Sequence, residues 1–199
     1  MSKAIVGVVV VLLVVVLVGG LAGAQYNGLV SGKQAVEQAW SQVENVYQRR
    51  ADLVPNLVAV VQGAANFEKN TLTAVTEARS KVGQLAGAPS PSDAQSMQRF
   101  EEAQKALSSS LSRLMVVVEN YPELKATQAF LDLQTQLAGS ENRILVERGR
   151  FNEAAKSFNT RLQSVPTVWF VKGLGWSFQE RPYFAAASGA ENAPKVNLQ

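Results

Sequence analysis

Tyr47-Gln48-Arg49-Arg50-Ala51-Asp52-Leu53-Val54-Pro55-Asn56-Leu57 sets two arginines, an aspartate and a proline inside a long amphipathic pattern. On either side of it, Leu29, Val36, Val43, Arg50, Leu57 and Ala64 stand seven apart. Trp40, Tyr47, Val54 and Val61 form a second row between them. Alternating steps of three and four residues put both rows on one face of a helix packed in a bundle. Arg50 therefore falls on the buried seam. An arginine without a partner there costs several kcal/mol, so other helices must be arranged to receive it. Pro55 deletes one backbone hydrogen bond. Because the seam continues past it, the helix is expected to kink there and not to stop.

Upstream, Ala4–Ala24 is a run of 21 residues without a charged or amide side chain. A helix of that length rises about 30 Å, the thickness of a bilayer core. A cleaved signal peptide has a shorter apolar core, although Ala22-Gly23-Ala24 before Gln25 fits a small-residue cleavage site. The full length fits a retained single-pass anchor better, so residues 1–25 are read as a transmembrane anchor. Within it, Gly19 and Gly23, and Gly20 and Ala24, are spaced four apart. Small residues at that spacing let helices approach closely in lipid, which makes this row the candidate anchor-packing face. Lys3 and Lys33 flank the span, one on each side, and hardly discriminate its orientation.

Downstream, Gly63 and Asn66 mark a helix end and a new start. A second helix is expected over Phe67–Ala86, with Thr71, Val75, Ala78, Val82 and Leu85 on one face. A Gly-Pro-Ser loop follows, with Ser90 as cap and Pro91 at the first helical position. The third helix runs to about Glu119 on a seam of Met97, Phe100, Gln104, Leu107, Leu111, Leu114 and Val118. After a turn at Asn120-Tyr121-Pro122, a fourth helix covers about Thr127–Ser164. Phe130, Leu137, Ile144, Phe151, Phe158 and Val165 stand seven apart on it, and Gln134, Glu141, Arg148, Ala155 and Leu162 form the interleaved row. The fold is thus read as all-α: a transmembrane helix, then an elongated up-and-down four-helix bundle over residues 26–165. Residues 166–199 form an aromatic, glycine-broken loop and a small polar tail.

Parity places that loop. In an even up-and-down bundle the last helix ends where the first began, at the membrane. Trp169, Phe170, Trp176, Phe178, Tyr183 and Phe184 are therefore candidates for contact with the bilayer surface or a neighbouring subunit. The competing reading is that these aromatics fold back and cap the open end of the bundle.

Composition narrows the chemistry. The chain has no cysteine and no histidine. Thiol nucleophiles, imidazole bases, Ser-His-Asp triads and His-containing metal sites are excluded, and no cofactor is implied. A net charge of +3, from 19 basic and 16 acidic residues, is too weak and scattered for nucleic acid. What remains is ionic structure. Glu141 faces Arg50 in the pattern, and Arg148 then needs Asp52 or Glu77. The expected network is Arg49, Arg50, Asp52, Glu77, Arg79, Glu141 and Arg148, with control of helix register as its role. A hydrolase using Asp52, Glu77 or Glu141 is the enzymatic alternative.

Several separate pieces resemble the LemA family of bacterial membrane-anchored proteins, in order from about Tyr26 to Phe184. They are Tyr26-Asn27 with Leu29-Val30; Gln48-Arg49-Arg50 running on to Leu57-Val58; Glu77-Ala78-Arg79; Tyr121-Pro122 with Leu124-Lys125-Ala126; Glu141-Asn142-Arg143-Ile144; Arg150-Phe151-Asn152; Phe158-Asn159 with Arg161; and Arg181-Pro182-Tyr183-Phe184. Phe151 and Phe158 stand where the pattern leads one to expect tyrosine. The resemblance implies a short anchor and a long helical bundle, and it supplies no catalytic activity. Some relatives are associated with bacterial organelle or envelope membranes. The expectation is a non-enzymatic, self-associating scaffold in the bacterial inner membrane, its bundle on the extracytoplasmic side. Its partners would be the lipid bilayer and further copies of itself. The alternative is an adaptor presenting the bundle to another membrane protein.

Overall fold

The computed structural model describes residues 3–64, 67–85 and 93–185. All regular structure among them is helical: α1 (Lys3–Gln62), α2 (Lys69–Leu85), α3 (Ala94–Val118), α4 (Pro122–Lys125), α5 (Gln128–Gln163) and α6 (Thr167–Leu174). The chain is an N-terminal transmembrane helix followed by an elongated up-and-down bundle of α1, α2, α3 and α5.

The anchor and the first bundle helix are one element. α1 continues for 60 residues, about 90 Å, and Pro55 lies inside it. Its apolar first third is exposed, with Leu13 at 64% and Val16 at 72%, as a surface meant for lipid would be. From Leu29 onward the two seven-residue rows turn inward: Leu29, Val36, Trp40, Val43, Tyr47, Arg50, Val54, Leu57 and Val61 are all buried. α1 ends in a tightened turn, with Gly63 N–H donating to the Val60 carbonyl and Ala64 N–H to that of Val61.

Local chemistry sets the other ends. α3 is capped by Asp93, whose carboxylate accepts from the amides of Gln95 (3.1 Å) and Ser96 (3.2 Å). These bonds to the charged form hold its carboxyl below the usual aspartate value, the Ser96 side chain contributing most. The cap is thus three residues later than Ser90, which with Pro91 and Asn66 lies outside the described residues. Asp93 wins because its charged oxygens satisfy two free helix amides at once. Thr127 caps α5, its hydroxyl accepting from the Phe130 amide and donating to the Leu124 carbonyl.

One expectation for α5 is corrected. Its interleaved buried positions are Leu133 and Ser140, not Gln134 and Glu141. Over a straight 36-residue helix the 3.6-residue turn drifts against a strict seven-residue repeat, so the buried stripe shifts by one position.

The core has two apolar clusters. The distal one draws on all four helices, with Leu57, Val61, Val75, Leu107, Leu114 and Phe130 among its members. The proximal one, nearer the anchor, contains Leu29, Trp40, Val43, Phe151 and Phe158 from α1 and α5, with Met97 and Phe100 from the start of α3. α2 contributes nothing to it, because α2 and α3 are too short to reach the membrane end. There the α1–α5 pair is covered by the chain beyond α6, whose Phe184 is 5% exposed within the proximal cluster.

Candidate functional site

Arg50 stands between the two clusters. Its side chain is 3% exposed and reaches two other helices. Nη1 donates to Ser108 Oγ (2.8 Å) and to Glu141 Oε2 (3.0 Å). Nη2 donates to the Gln104 side-chain oxygen (2.5 Å) and, more weakly, to the Gln104 carbonyl (3.3 Å). The guanidinium also lies 5.2 Å from the Tyr47 ring centroid. One residue thus ties α1 to α3 and α5. The ion pair is lopsided: the Glu141 side chain is 52% exposed, so the neutral acceptors on α3 carry the buried part of the load.

Pro55 explains a second cross-link. A proline has no N–H, so the carbonyl four residues earlier, at Ala51, loses its helical donor. Arg79 Nε on α2 donates to that carbonyl at 3.0 Å. The Arg-Arg-Ala-Asp-Leu-Val-Pro stretch therefore recruits α3 and α5 through Arg50 and α2 through the Ala51 carbonyl.

The remaining expected members are spread out. Arg148 does not meet Asp52 or Glu77. It faces Glu101 on α3 at 3.6 Å, an electrostatic contact too long for a hydrogen bond. It also donates to the Ala185 carbonyl at 3.0 Å and lies 4.6 Å from the Phe184 ring centroid. The Glu101-Glu102 pair looks in sequence like part of a solvated face, yet the Glu101 side chain is only 14% exposed. Asp52 is exposed and accepts from Gln48 one turn earlier. Arg49 and Glu77 are also exposed, and neither makes an ion pair among the described residues. The network is two ion pairs, Arg50 with Glu141 and Arg148 with Glu101, plus arginine bonds to the Gln104, Ala51 and Ala185 carbonyls.

A cleft of about 280 Å³ opens over this region, bordered by Tyr47, Glu101, Lys105, Glu141 and Arg148. Burial pushes the Tyr47 hydroxyl above its ordinary 10.0, while Arg148 and Arg50 nearby pull it down. Each carboxylate in the cleft faces an arginine. That arrangement fixes helices in place.

The tail is held by side chains that look unremarkable in sequence. Asn152 donates to the Phe184 carbonyl (3.0 Å) and accepts from the Phe184 amide (2.8 Å). Asn159, seven residues on, does the same for Arg181 (2.9 and 2.8 Å) and also donates to the Tyr183 hydroxyl. Two amides on one face of α5 thus clamp the backbone of two residues, Arg181 and Phe184, and hold residues 176–185 as a strap. Phe184 stacks on Trp40 and meets Phe151 edge-on, and the Arg181 guanidinium lies over Phe158. Phe151 and Phe158 serve here as ring surfaces and use no hydroxyl.

The six tail aromatics therefore divide. Phe184 is buried, Trp176 and Phe178 are half-buried against Tyr26, and Phe170 stacks on Trp176. Tyr183 is 49% exposed and Trp169 66%. In the anchor, an added Cβ at Gly19, Gly20 or Gly23 would meet nothing within 4 Å, and Ala24 is exposed.

A profile of the LemA family matches residues 39–198, most of the chain, including Arg50 and its partners and the residues that hold the strap. The protein belongs to the LemA family. This LemA-family chain is 27% identical over 180 residues to magnetosome protein MamQ 2 of Paramagnetospirillum magneticum, covering 79% of this chain and 66% of that protein. It is 26% identical over 178 residues to magnetosome protein MamQ of Magnetospirillum gryphiswaldense, covering 80% and 64%. With protein LemA of Metamycoplasma hominis the identity is 26% over 144 residues, covering 72% and 60%. The chain spans about two thirds or less of the length of these curated relatives. Family, relatives and the long apolar helix at the start of α1 together make this a membrane-associated protein.

Proposed function

We propose that this protein is a non-enzymatic, single-pass scaffold of the bacterial inner membrane that self-associates, with its bundle on the extracytoplasmic side. One observation carries the reading: α1 passes from the apolar span into the bundle without a break over Lys3–Gln62. A domain joined to its anchor by a continuous helix has a set orientation, and rigid oriented stalks suit side-by-side packing in a membrane. The open faces of Gly19, Gly20, Gly23 and Ala24 offer close anchor contact. The magnetosome proteins among its relatives support a role at membranes. The test is mass and shape of the full-length protein in detergent and in lipid vesicles, by light scattering and negative-stain imaging. Regular multi-copy assemblies, weakened by Gly19→Leu with Gly23→Leu, are expected. A strict monomer that leaves vesicle shape unchanged overturns the proposal.

A second reading rests on the outer face of α5, where Leu145 and Val146 are 60% and 52% exposed. That pair offers a contact for a different membrane protein, and the chain then acts as an adaptor. A defined hetero-complex of fixed stoichiometry, without large homo-assemblies, would favour it.

A further inference from the structure

We propose that α6 is an interfacial foot: it lies on the bilayer surface and inserts Trp169 and its apolar neighbours among the lipid headgroups. The inference needs the membrane anchor but not self-association.

The height of α6 is set by a bond. Thr167, 2% exposed, donates its hydroxyl to the Gln25 side chain at 2.8 Å. Gln25 is the first residue after the 21-residue apolar run, so it marks where the hydrocarbon ends and the headgroups begin. A second contact agrees with this height. Tyr26 packs edge-on against Trp176 and Phe178, at 5.1 and 5.6 Å between ring centroids. The first residue of α6 and the chain after it are thereby pinned at the level of the first turn beyond the span.

At that level the outward surface is apolar. Val165, Trp169 and Leu174 are 62%, 66% and 60% exposed, although Phe170 and Val171 beside them are half-buried. In water such exposure is a cost with no return. Among headgroups it is favourable, because an indole has an apolar body and one polar N–H, and Trp is enriched at that depth. Lys172, exposed and three residues after Trp169 on the helix, brings a cation to the height of lipid phosphates. The aromatics that point inward have partners already. On α6, Trp169 is the aromatic left over for the lipid.

Trp emission tests this in the intact protein. The full-length chain is reconstituted into phosphatidylcholine vesicles carrying bromine at a shallow acyl position. Trp40 is 3% exposed and buried in the bundle, so it contributes little quenching. The expected result is a quenchable component in the wild type that Trp169→Phe removes by at least half. The same component should be shielded from acrylamide in the water. Lipid quenching unchanged by Trp169→Phe overturns the proposal, as does a Trp169 signal fully open to acrylamide. Nanodiscs holding one copy separate lipid from a neighbouring subunit. Quenching that persists there supports the foot; quenching that vanishes assigns Trp169 to a copy–copy contact and overturns it. Because one copy suffices, failure of self-association leaves the result readable.

Discussion

Pro55 and Arg79 should be energetically coupled although they lie on different helices. Pro55 leaves the Ala51 carbonyl without its helical donor, and Arg79 Nε supplies one at 3.0 Å. Arg79→Met keeps most of the stem and removes the donor. A hydrogen bond from a charged group to a buried acceptor contributes about 1.5–3 kcal/mol. Arg79 is half-buried, so the lower end applies, and Arg79→Met should cost about 1.5–2 kcal/mol. In a Pro55→Ala background the new amide at position 55 donates to the Ala51 carbonyl as in any helix. Arg79→Met should then cost only about 0.5–1 kcal/mol, since no buried carbonyl is orphaned. The resulting coupling of roughly 1 kcal/mol exceeds the ~0.3–0.5 kcal/mol scatter expected of independent sites. The assay is a double-mutant cycle by chemical unfolding of the full-length protein in a mild detergent, followed by helical circular dichroism. Protein concentration is held constant, because any association shifts the midpoint. Equal costs for Arg79→Met in both backgrounds would refute the reasoning.

Two further outcomes follow from the same geometry. The unfolded Tyr47 hydroxyl ionises near 10.0 and the folded one higher, so its contribution is complete below pH 10 and is lost as pH rises through the folded value. Stability of the wild type should therefore fall faster above pH 10 than that of Tyr47→Phe; parallel curves would contradict this. Asn159→Ala removes a two-way clamp on Arg181, about 2 kcal/mol, and should open the strap roughly thirtyfold more often. Hydrogen exchange at the Arg181 and Phe184 amides reads that opening, and unchanged protection of both would show that the rings alone hold the strap.

Much of this was legible in the sequence, for a physical reason. The buried rows of α1 and α3 follow from heptad spacing, because each helix packs on neighbours along one continuous stripe. Arg50 was legible because a charge on such a stripe needs an acceptor, and Glu141 was the nearest in pattern. Gln104 and Ser108 were not, since a glutamine on the α3 seam and a serine beside it give no sign of being acceptors. The Arg79–Ala51 bond is half legible: a mid-helix proline always frees one carbonyl, while nothing in the sequence marks Arg79 as its donor. The strap was hidden for another reason. Asn152 and Asn159 bind peptide groups, and peptide groups are the same in every sequence. The aromatic run after residue 165 did signal that the tail could fold back and cap the bundle's open end, and the shortness of α2 and α3, 17 and 25 residues against 36 for α5, shows why that end needs a cover.

The polar layer at Arg50 answers a difficulty that the apolar seam creates. Leu29, Val36, Val43 and Leu57 occupy equivalent positions on α1, and Phe130, Leu137, Ile144, Phe151 and Phe158 do so on α5. If α1 slid one heptad against its neighbours, apolar residues would still meet apolar residues. Little in such a seam alone selects one register. Arg50 breaks the degeneracy, since a slid helix would carry it away from Gln104, Ser108 and Glu141 into one of the apolar clusters. There it would lack acceptors, at a cost of roughly 3–5 kcal/mol. The layer thus works through the states it excludes, and total stability is a poor measure of it. Replacing all three of Arg50, Gln104 and Glu141 by leucine should leave the unfolding midpoint level or higher, as apolar substitutes often do. What should be lost is uniqueness. Because the chain has no native cysteine, engineered cysteine pairs between α1 and α5 can report both the native and the one-heptad-slid alignment. Crosslinks in both alignments are expected for the triple variant and in one alone for the wild type. A triple variant that crosslinks only in the native alignment would move the source of register elsewhere, to the Arg79–Ala51 bond or to the strap.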